Sequence, residues 1–200
     1  MVWHEELLVT LKIIWDRVIE IIKEPILHKE MLWVLLPLLV ALFLIELYFA
    51  FYKEEELGWN TAVSNSLVLF FVGMNLCSFL YSPEAGKNML IGVGPSVSPE
   101  LLGIALKKSI IAYFVIFESI SLLILNFFHL LAKKFAFGIS SGLILNYIGI
   151  VSIILVYSPN TALLNELVTL PAILVLFVLM VLFFLIIKAL FPPLETPEAE

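Results

Sequence analysis

Five long apolar runs constrain this chain more than any other feature of its sequence. They cover residues 31–52, 60–81, 109–131, 138–157 and 170–191. Each run is close to the ~20 residues that an α-helix needs to cross the hydrocarbon core of a bilayer. Of all residues, 62% are hydrophobic and only 14% are charged, against about 25% charged in soluble domains, so no water-soluble fold could bury the apolar surface. The sequence therefore predicts an all-α, polytopic helical membrane protein with five transmembrane helices.

The segment before the first run, residues 1–30, has the pattern of an amphipathic helix. Its apolar side chains recur at helical spacing and leave the charged ones on the opposite side. They are Leu7, Leu11, Ile14, Trp15, Val18 and Ile22. We expect the helix to end at Pro25, since proline lacks a backbone donor and clashes with the preceding turn. Such a pattern favours a helix in the membrane interface, although packing on the cytosolic ends of the spans stays open.

The domain organisation follows from these segments. An interfacial helix at 1–30 precedes a five-span domain at 31–191, and the proline- and glutamate-rich tail at 192–200 is expected to be disordered. Serine, proline and an acid at 98–100 are typical of a helix start, which predicts a short helix leading into the third span. Whether residues 89–97 are half-inserted in the membrane is left open by the sequence.

Lysine and arginine are distributed unevenly between the two predicted sides of the membrane. The side shared by the N-terminus and the connection between spans 2 and 3 carries seven of them, and the other side carries four. Because positive residues are enriched in cytoplasmic loops, this bias predicts a cytoplasmic N-terminus.

Two acidic residues stand inside the apolar runs. Glu46 lies in the first run and Glu118 in the third, where a carboxylate is costly and normally faces protein or water. Counting residues from the ends of the runs places Asn65 and Asn126 at the depth of Glu46, and Asn146 at the depth of Glu118. We therefore expect hydrogen bonds within these two layers. No lysine or arginine is predicted at either depth.

The remaining intramembrane candidates concern packing. Asn75 lies in the second run, on the cytoplasmic side of the midplane, and an asparagine there most often joins helices. In the fourth run Gly138 and Gly142 have the GxxxG spacing that permits close helix approach, and Gly149 shares the face of Gly142. The fifth run has no strongly polar residue from 171 to 187. The sequence thus predicts a central fourth span and a peripheral fifth.

Motifs for chemistry are missing from the sequence. Asp16 is its only aspartate and Cys77 its only cysteine, so aspartate-held magnesium and cysteine-rich metal sites are not expected. We predict no catalytic site, no cofactor and no metal, and without a basic patch we expect no nucleic-acid partner. The expected partners are the lipid bilayer and either a second copy of the chain or another membrane subunit.

Two functional classes remain open. In one, the chain is a non-catalytic assembly or accessory component, and its polar residues hold helices together. In the other, it is a small-solute, ion or proton-coupled transporter or channel in which Glu46 and Glu118 line a path. No internal repeat is visible, whereas many transporters are built from inverted repeats, and this favours the first class.

Overall fold

The protein is all-α throughout the part of the chain that the computed structural model describes, residues 2–52, 58–81 and 98–191, without the side chains of residues 2–4. The elements are α1 (Val2–Leu27), α2 (Lys29–Phe51), α3 (Trp59–Tyr81), α4 (Pro99–Phe127), α5 (Lys133–Ile139), α6 (Gly142–Tyr157), a 3-10 helix (Thr161–Leu164) and α7 (Glu166–Leu190). The expected disordered tail at 192–200 and the segment at 89–97 lie outside the described residues.

Five segments of this fold are long and apolar enough to cross a membrane. They are α2, α3, α4, α5 together with α6, and α7. This confirms the predicted five-span, multi-pass membrane protein. Helix α4 has 29 residues, about 43 Å at 1.5 Å per residue, which exceeds the ~30 Å hydrocarbon core, so at least one end of α4 extends beyond the hydrocarbon.

Consecutive spans run in opposite directions, so the bundle has two ends. Lys108, near the start of α4, bonds the carbonyl of Ser158 just after α6. Asn126, near the end of α4, bonds Ser140 just before α6. We name the end at which α1 meets α2 the α1 end, and the opposite one the far end. The start of α7 lies at the α1 end.

Helix α6 lies at the centre of the bundle. It packs against α2, α3 and α4, and most of its residues are buried. Its glycines allow this, since a Cβ on Gly142 would lie 3.4 Å from Ile45, and one on Gly149 would lie 3.5 Å from Leu38. Helix α7 is the most exposed of the spans, as its sequence predicts, and it packs mainly on α1 and α2.

The fourth apolar run is not a single helix. Helix α5 ends at Ile139, and α6 begins at Gly142 after Ser141, whose side chain accepts a hydrogen bond from the backbone N–H of Ile144. Because serine at this position favours extended backbone and caps a new helix, the chain turns between the two glycines of the GxxxG spacing. Gly138 is exposed, a Cβ at its position would meet no atom within 4 Å, and it does not share a packing face with Gly142.

The expectation that α1 ends at Pro25 is wrong. The helix continues to Leu27, and beyond the proline the N–H of His28 donates to the carbonyl of Glu24 at 3.0 Å. A proline this close to a helix end removes one backbone bond without preventing the last turn. Only the second half of α1 packs on the bundle, through Val18 and Ile21, whereas all side chains from residue 5 to 13 are exposed.

Candidate functional site

Glu46 forms an ion pair inside the bundle. Its side chain is buried, and Lys188 Nζ donates to Glu46 Oε2 at 2.7 Å. The expected bonds from Glu46 to Asn65 and Asn126 are therefore wrong, and so is the expectation that no cation lies at its depth. Lysine has a long flexible side chain, so Lys188 reaches the carboxylate from the last turn of α7.

The two asparagines at the far end, Asn65 and Asn126, both bond to Ser140 instead. Asn126 is fully buried, and its Nδ2 donates to Ser66 Oγ at 3.1 Å and to Ser140 Oγ at 2.7 Å. Asn65 Nδ2 donates to the backbone carbonyl of Ser140 at 2.9 Å. Ser140 lies in the break between α5 and α6 and is fully buried, so this cluster joins α3 and α4 to the break.

Glu118 is left without a protein partner among the described residues. Its side chain is half-buried, and its Oε2 is buried with no hydrogen bond. The expected bond to Asn146 is wrong because α6 presents Asn146 to α2 and α3, where it borders a cavity of about 60 Å³. Asn146 Nδ2 donates to the carbonyl of Gly142 on its own helix, at 2.8 Å.

Asn75 lies at the surface of the bundle. It is exposed, and its Oδ1 accepts a hydrogen bond from the hydroxyl of Tyr157 at 2.8 Å. The ring of Tyr157 stacks on Phe79 with centroids 3.8 Å apart. Asn75 therefore joins the end of α3 to the end of α6.

A buried charged cluster at the α1 end is not predicted by the sequence. Lys108 is 1% exposed, and its Nζ donates to the carbonyl of Ser158 at 2.7 Å. Ser158 Oγ donates to Glu24 Oε2 at 2.7 Å, and His28 Nε2 lies 3.5 Å from the same oxygen. From the sequence, Lys108 contributes only to the lysine and arginine bias that predicts the orientation in the membrane. Its spacing from Ala105 and Ala112, which share the buried face of α4, is the signal that could have found it.

The chemical capacity of these clusters is limited. Among the described residues no group of three or more histidine, cysteine, aspartate or glutamate side chains is placed to hold a metal ion. Glu46 is neutralised by Lys188, and the cavity beside Asn146 is far below the ~300 Å³ at which small-molecule pockets begin. The hydrogen bonds of these clusters join neighbouring helices of the bundle.

Comparison with known proteins adds no family to this geometry. No protein-family model, no curated protein and no solved structure matches the chain. The function is therefore argued from the residues of the bundle.

Proposed function

We propose that this chain is a non-catalytic membrane component that assembles with a second copy of itself or with another membrane subunit. The observation that carries the proposal is Glu118. Its side chain is half-buried in a membrane span, next in sequence to the exposed Phe117. Its carboxyl group, of which Oε2 is buried, makes no hydrogen bond among the described residues. Since a polar group in hydrocarbon is costly, a neighbouring chain that offers a hydrogen bond is a favourable way to satisfy it.

The other intramembrane polar groups support the same function. Glu46 is bonded to Lys188, and the amide nitrogen of Asn126 is bonded to Ser66 and Ser140, although Asn126 Oδ1 is buried without a partner among the described residues. These bonds tie α2 to α7 and α3 to α4. Of the two glutamates inside the membrane spans, Glu118 is therefore the one whose carboxyl group is available for a contact between chains.

The mass of the complex purified from its native membrane tests this proposal. We expect native mass spectrometry to show the wild type with a second copy or a second protein bound. Glu118→Gln keeps the hydrogen-bonding capacity and should keep the partner, whereas Glu118→Leu should lose it. Val178→Leu, at an exposed position of α7, is the control and should resemble the wild type. A monomeric wild type, or a partner retained by Glu118→Leu, would overturn the proposal.

Transport is the alternative function, and the same unpartnered oxygen of Glu118 is the observation that favours it. A carboxyl group in a membrane span that is neither paired nor fully buried is also what a proton or cation path uses. Under this alternative Glu46 and Glu118 would both line the path, and Glu118→Gln would abolish flux while leaving assembly intact.

We further propose that the N-terminus is cytoplasmic and that α1 is an amphipathic helix at that interface. The excess of lysine and arginine on the N-terminal side supports the orientation. The exposed side chains of Leu7, Leu11 and Trp15, on the half of α1 that leaves the bundle, support contact with lipid.

Cysteine labelling tests this orientation. In a Cys77→Ser background, Lys12→Cys should react with a membrane-impermeant maleimide only after the cells are lysed. Labelling of intact cells would place the N-terminus outside and overturn the orientation.

A further inference from the structure

A cleft opens between α4 and α7 at the α1 end of the bundle. Its volume is about 220 Å³, and Leu155 of α6 and Leu163 of the 3-10 helix contribute to its lining. Ile110 and Ile111 line it from α4, and Ile173 lines it from α7. Most of the lining is therefore apolar, and the cleft lies between two membrane-spanning helices.

The mouth of the cleft is polar. Lys107 Nζ lies 2.8 Å from Glu166 Oε1 and donates to the carbonyl of Leu164 at 3.0 Å. These three residues also line an adjoining open recess of about 410 Å³, whose wall includes Glu100 and Thr161. Among the described residues, the mouth and this recess together hold one ammonium group, that of Lys107, and two carboxylates, those of Glu166 and Glu100, which is a net charge of −1.

A buried hydroxyl group beside the cleft has no hydrogen-bond partner in the part of the chain that the structure describes. Thr169, which lines the cleft, is 2% exposed, and its Oγ1 makes no hydrogen bond among the described residues. A threonine in a helix commonly donates to the carbonyl four residues earlier, but here the carbonyl of Asn165 accepts from the N–H groups of Val168 and Thr169. An unsatisfied buried hydroxyl group is destabilising, so an acceptor supplied by a ligand would stabilise the site.

From the positions of its residues along α4 and α7, we expect the cleft to lie at the boundary between headgroups and hydrocarbon. Lys107 lies eight residues after the start of α4, and Glu166 is the first residue of α7. The apolar lining at Ile111 and Ile173 lies deeper along the same two helices, because both run away from the α1 end. A molecule that fills both parts must have a polar end and an apolar chain.

We propose that this cleft binds one phospholipid molecule with a zwitterionic, amine-bearing headgroup. One acyl chain packs against Ile111 and Ile173, and an oxygen of the glycerol backbone accepts a hydrogen bond from Thr169. Lys107 binds the phosphate, and the carboxylates of Glu100 and Glu166 bind the ammonium group. The cleft is smaller than the ~300–1,000 Å³ of pockets that enclose a whole ligand, so the rest of the lipid stays in the bilayer.

The charge of the mouth selects the headgroup. With two carboxylates around one ammonium group, an anionic lipid brings like charges together, whereas a primary amine gains hydrogen bonds to the carboxylates. A quaternary ammonium headgroup keeps the charge but lacks N–H donors. The expected order of affinity is phosphatidylethanolamine, then phosphatidylcholine, then phosphatidylglycerol.

This inference does not depend on the proposed assembly. Glu118 is not among the residues that line the cleft. The chain can therefore bind lipid without assembling, or assemble without binding lipid, so the two proposals are tested separately.

Titration of the delipidated full chain with defined lipids tests the inference. The probes are the dioleoyl forms of phosphatidylethanolamine, phosphatidylcholine and phosphatidylglycerol, and native mass spectrometry counts the bound molecules. Ile111→Trp fills the cleft and should weaken phosphatidylethanolamine binding by about tenfold or more, since the acyl chain loses its contacts with the cleft. Ile124→Trp, at an exposed position of α4, should bind as the wild type does.

Thr169→Val decides the matter if Ile111→Trp does not fold. It removes the unpartnered hydroxyl group, so the lipid-free protein should melt at the same or a higher temperature while lipid binding weakens. One bound lipid per chain with the stated order of headgroups supports the inference. Absence of binding, a preference for phosphatidylglycerol, or unchanged binding by Thr169→Val would overturn it.

Discussion

Lys188 reaches Glu46 from the last turn of α7, and this contact makes the buried carboxylate of α2 half of an ion pair. The sequence identifies Glu46 as a costly group, because a lone acid in an apolar run is easily seen. It does not identify Lys188 as the partner. Counting residues along a helix estimates the depth of each Cα atom. A lysine side chain is long enough to bond a carboxylate at a different depth from its own Cα.

A double-mutant cycle measures the Glu46–Lys188 pair. Glu46→Gln and Lys188→Gln should each lower the free energy of unfolding in detergent, because each leaves one charge without its partner. Lys188 is partly exposed, so we expect a coupling energy of about 1 kcal/mol rather than the larger values of fully buried pairs. Lys134→Gln, at an exposed position of α5, is the control and should have no effect. Additive single effects would show that the pair does not stabilise the fold.

Other residues of the bonded clusters were just as hard to predict. Ser66, Ser140 and Ser158 hold the buried amide and carboxylate groups, yet serine in a transmembrane run is common and has no distinctive spacing. Which serine faces which partner depends on the rotation and tilt of each helix. A single sequence specifies the helical period but not those rigid-body parameters.

At the scale of elements, α3 and α4 approach each other closely at Gly73, a glycine that no sequence motif marks. A Cβ on Gly73 would lie 2.6 Å from Ile116 Cγ1 and 3.2 Å from the backbone nitrogen of Ile116. Gly73 has no second glycine four residues away. It therefore lacks the GxxxG signal, and the motif instead drew attention to Gly138, which is exposed.

Alanine substitutions at two glycines test this approach. Gly73→Ala should lower the free energy of unfolding by about 1–3 kcal/mol, because the backbone of α4 must move to admit a methyl group. Gly103→Ala lies at an open position of α4, and it should be neutral or stabilising by up to about 1 kcal/mol through helix propensity. Chemical unfolding in detergent compares the two. Equal stabilities would mean that α3 and α4 do not meet at Gly73.

Leucine substitutions at Gly138 and Gly142, on either side of the break between α5 and α6, should differ in their effect on stability. Gly142→Leu should destabilise the protein, because Ile45 already lies within contact distance of a Cβ at position 142 and leaves no room for a larger side chain. Gly138→Leu should be tolerated, because a side chain at position 138 points into open space. Melting temperatures in detergent would distinguish the pair. If Gly138→Leu is the more harmful of the two, the fourth run is a continuous helix that packs through its GxxxG face.

At the scale of the whole molecule, the sequence predicts the number of spans well and their arrangement only in part. Hydropathy over 20 residues is a strong signal, and it defines all five spans. The small residues of α6 and the uniformly apolar α7 also indicate which span is central and which is peripheral. The sequence does not predict the position of α1 against α7, because the helical spacing of apolar residues does not say which helix covers them.

The central claim is that the carboxyl groups within the membrane serve structure and assembly and do not carry protons. Proton flux in vesicles reconstituted with the wild type tests this claim most directly, with Glu118→Gln as the matched variant and protein-free vesicles as the control. The account predicts that both proteins leave an imposed pH gradient to decay as slowly as in the control. A gradient dissipated by the wild type but retained by Glu118→Gln would contradict it and establish Glu118 as part of a proton path.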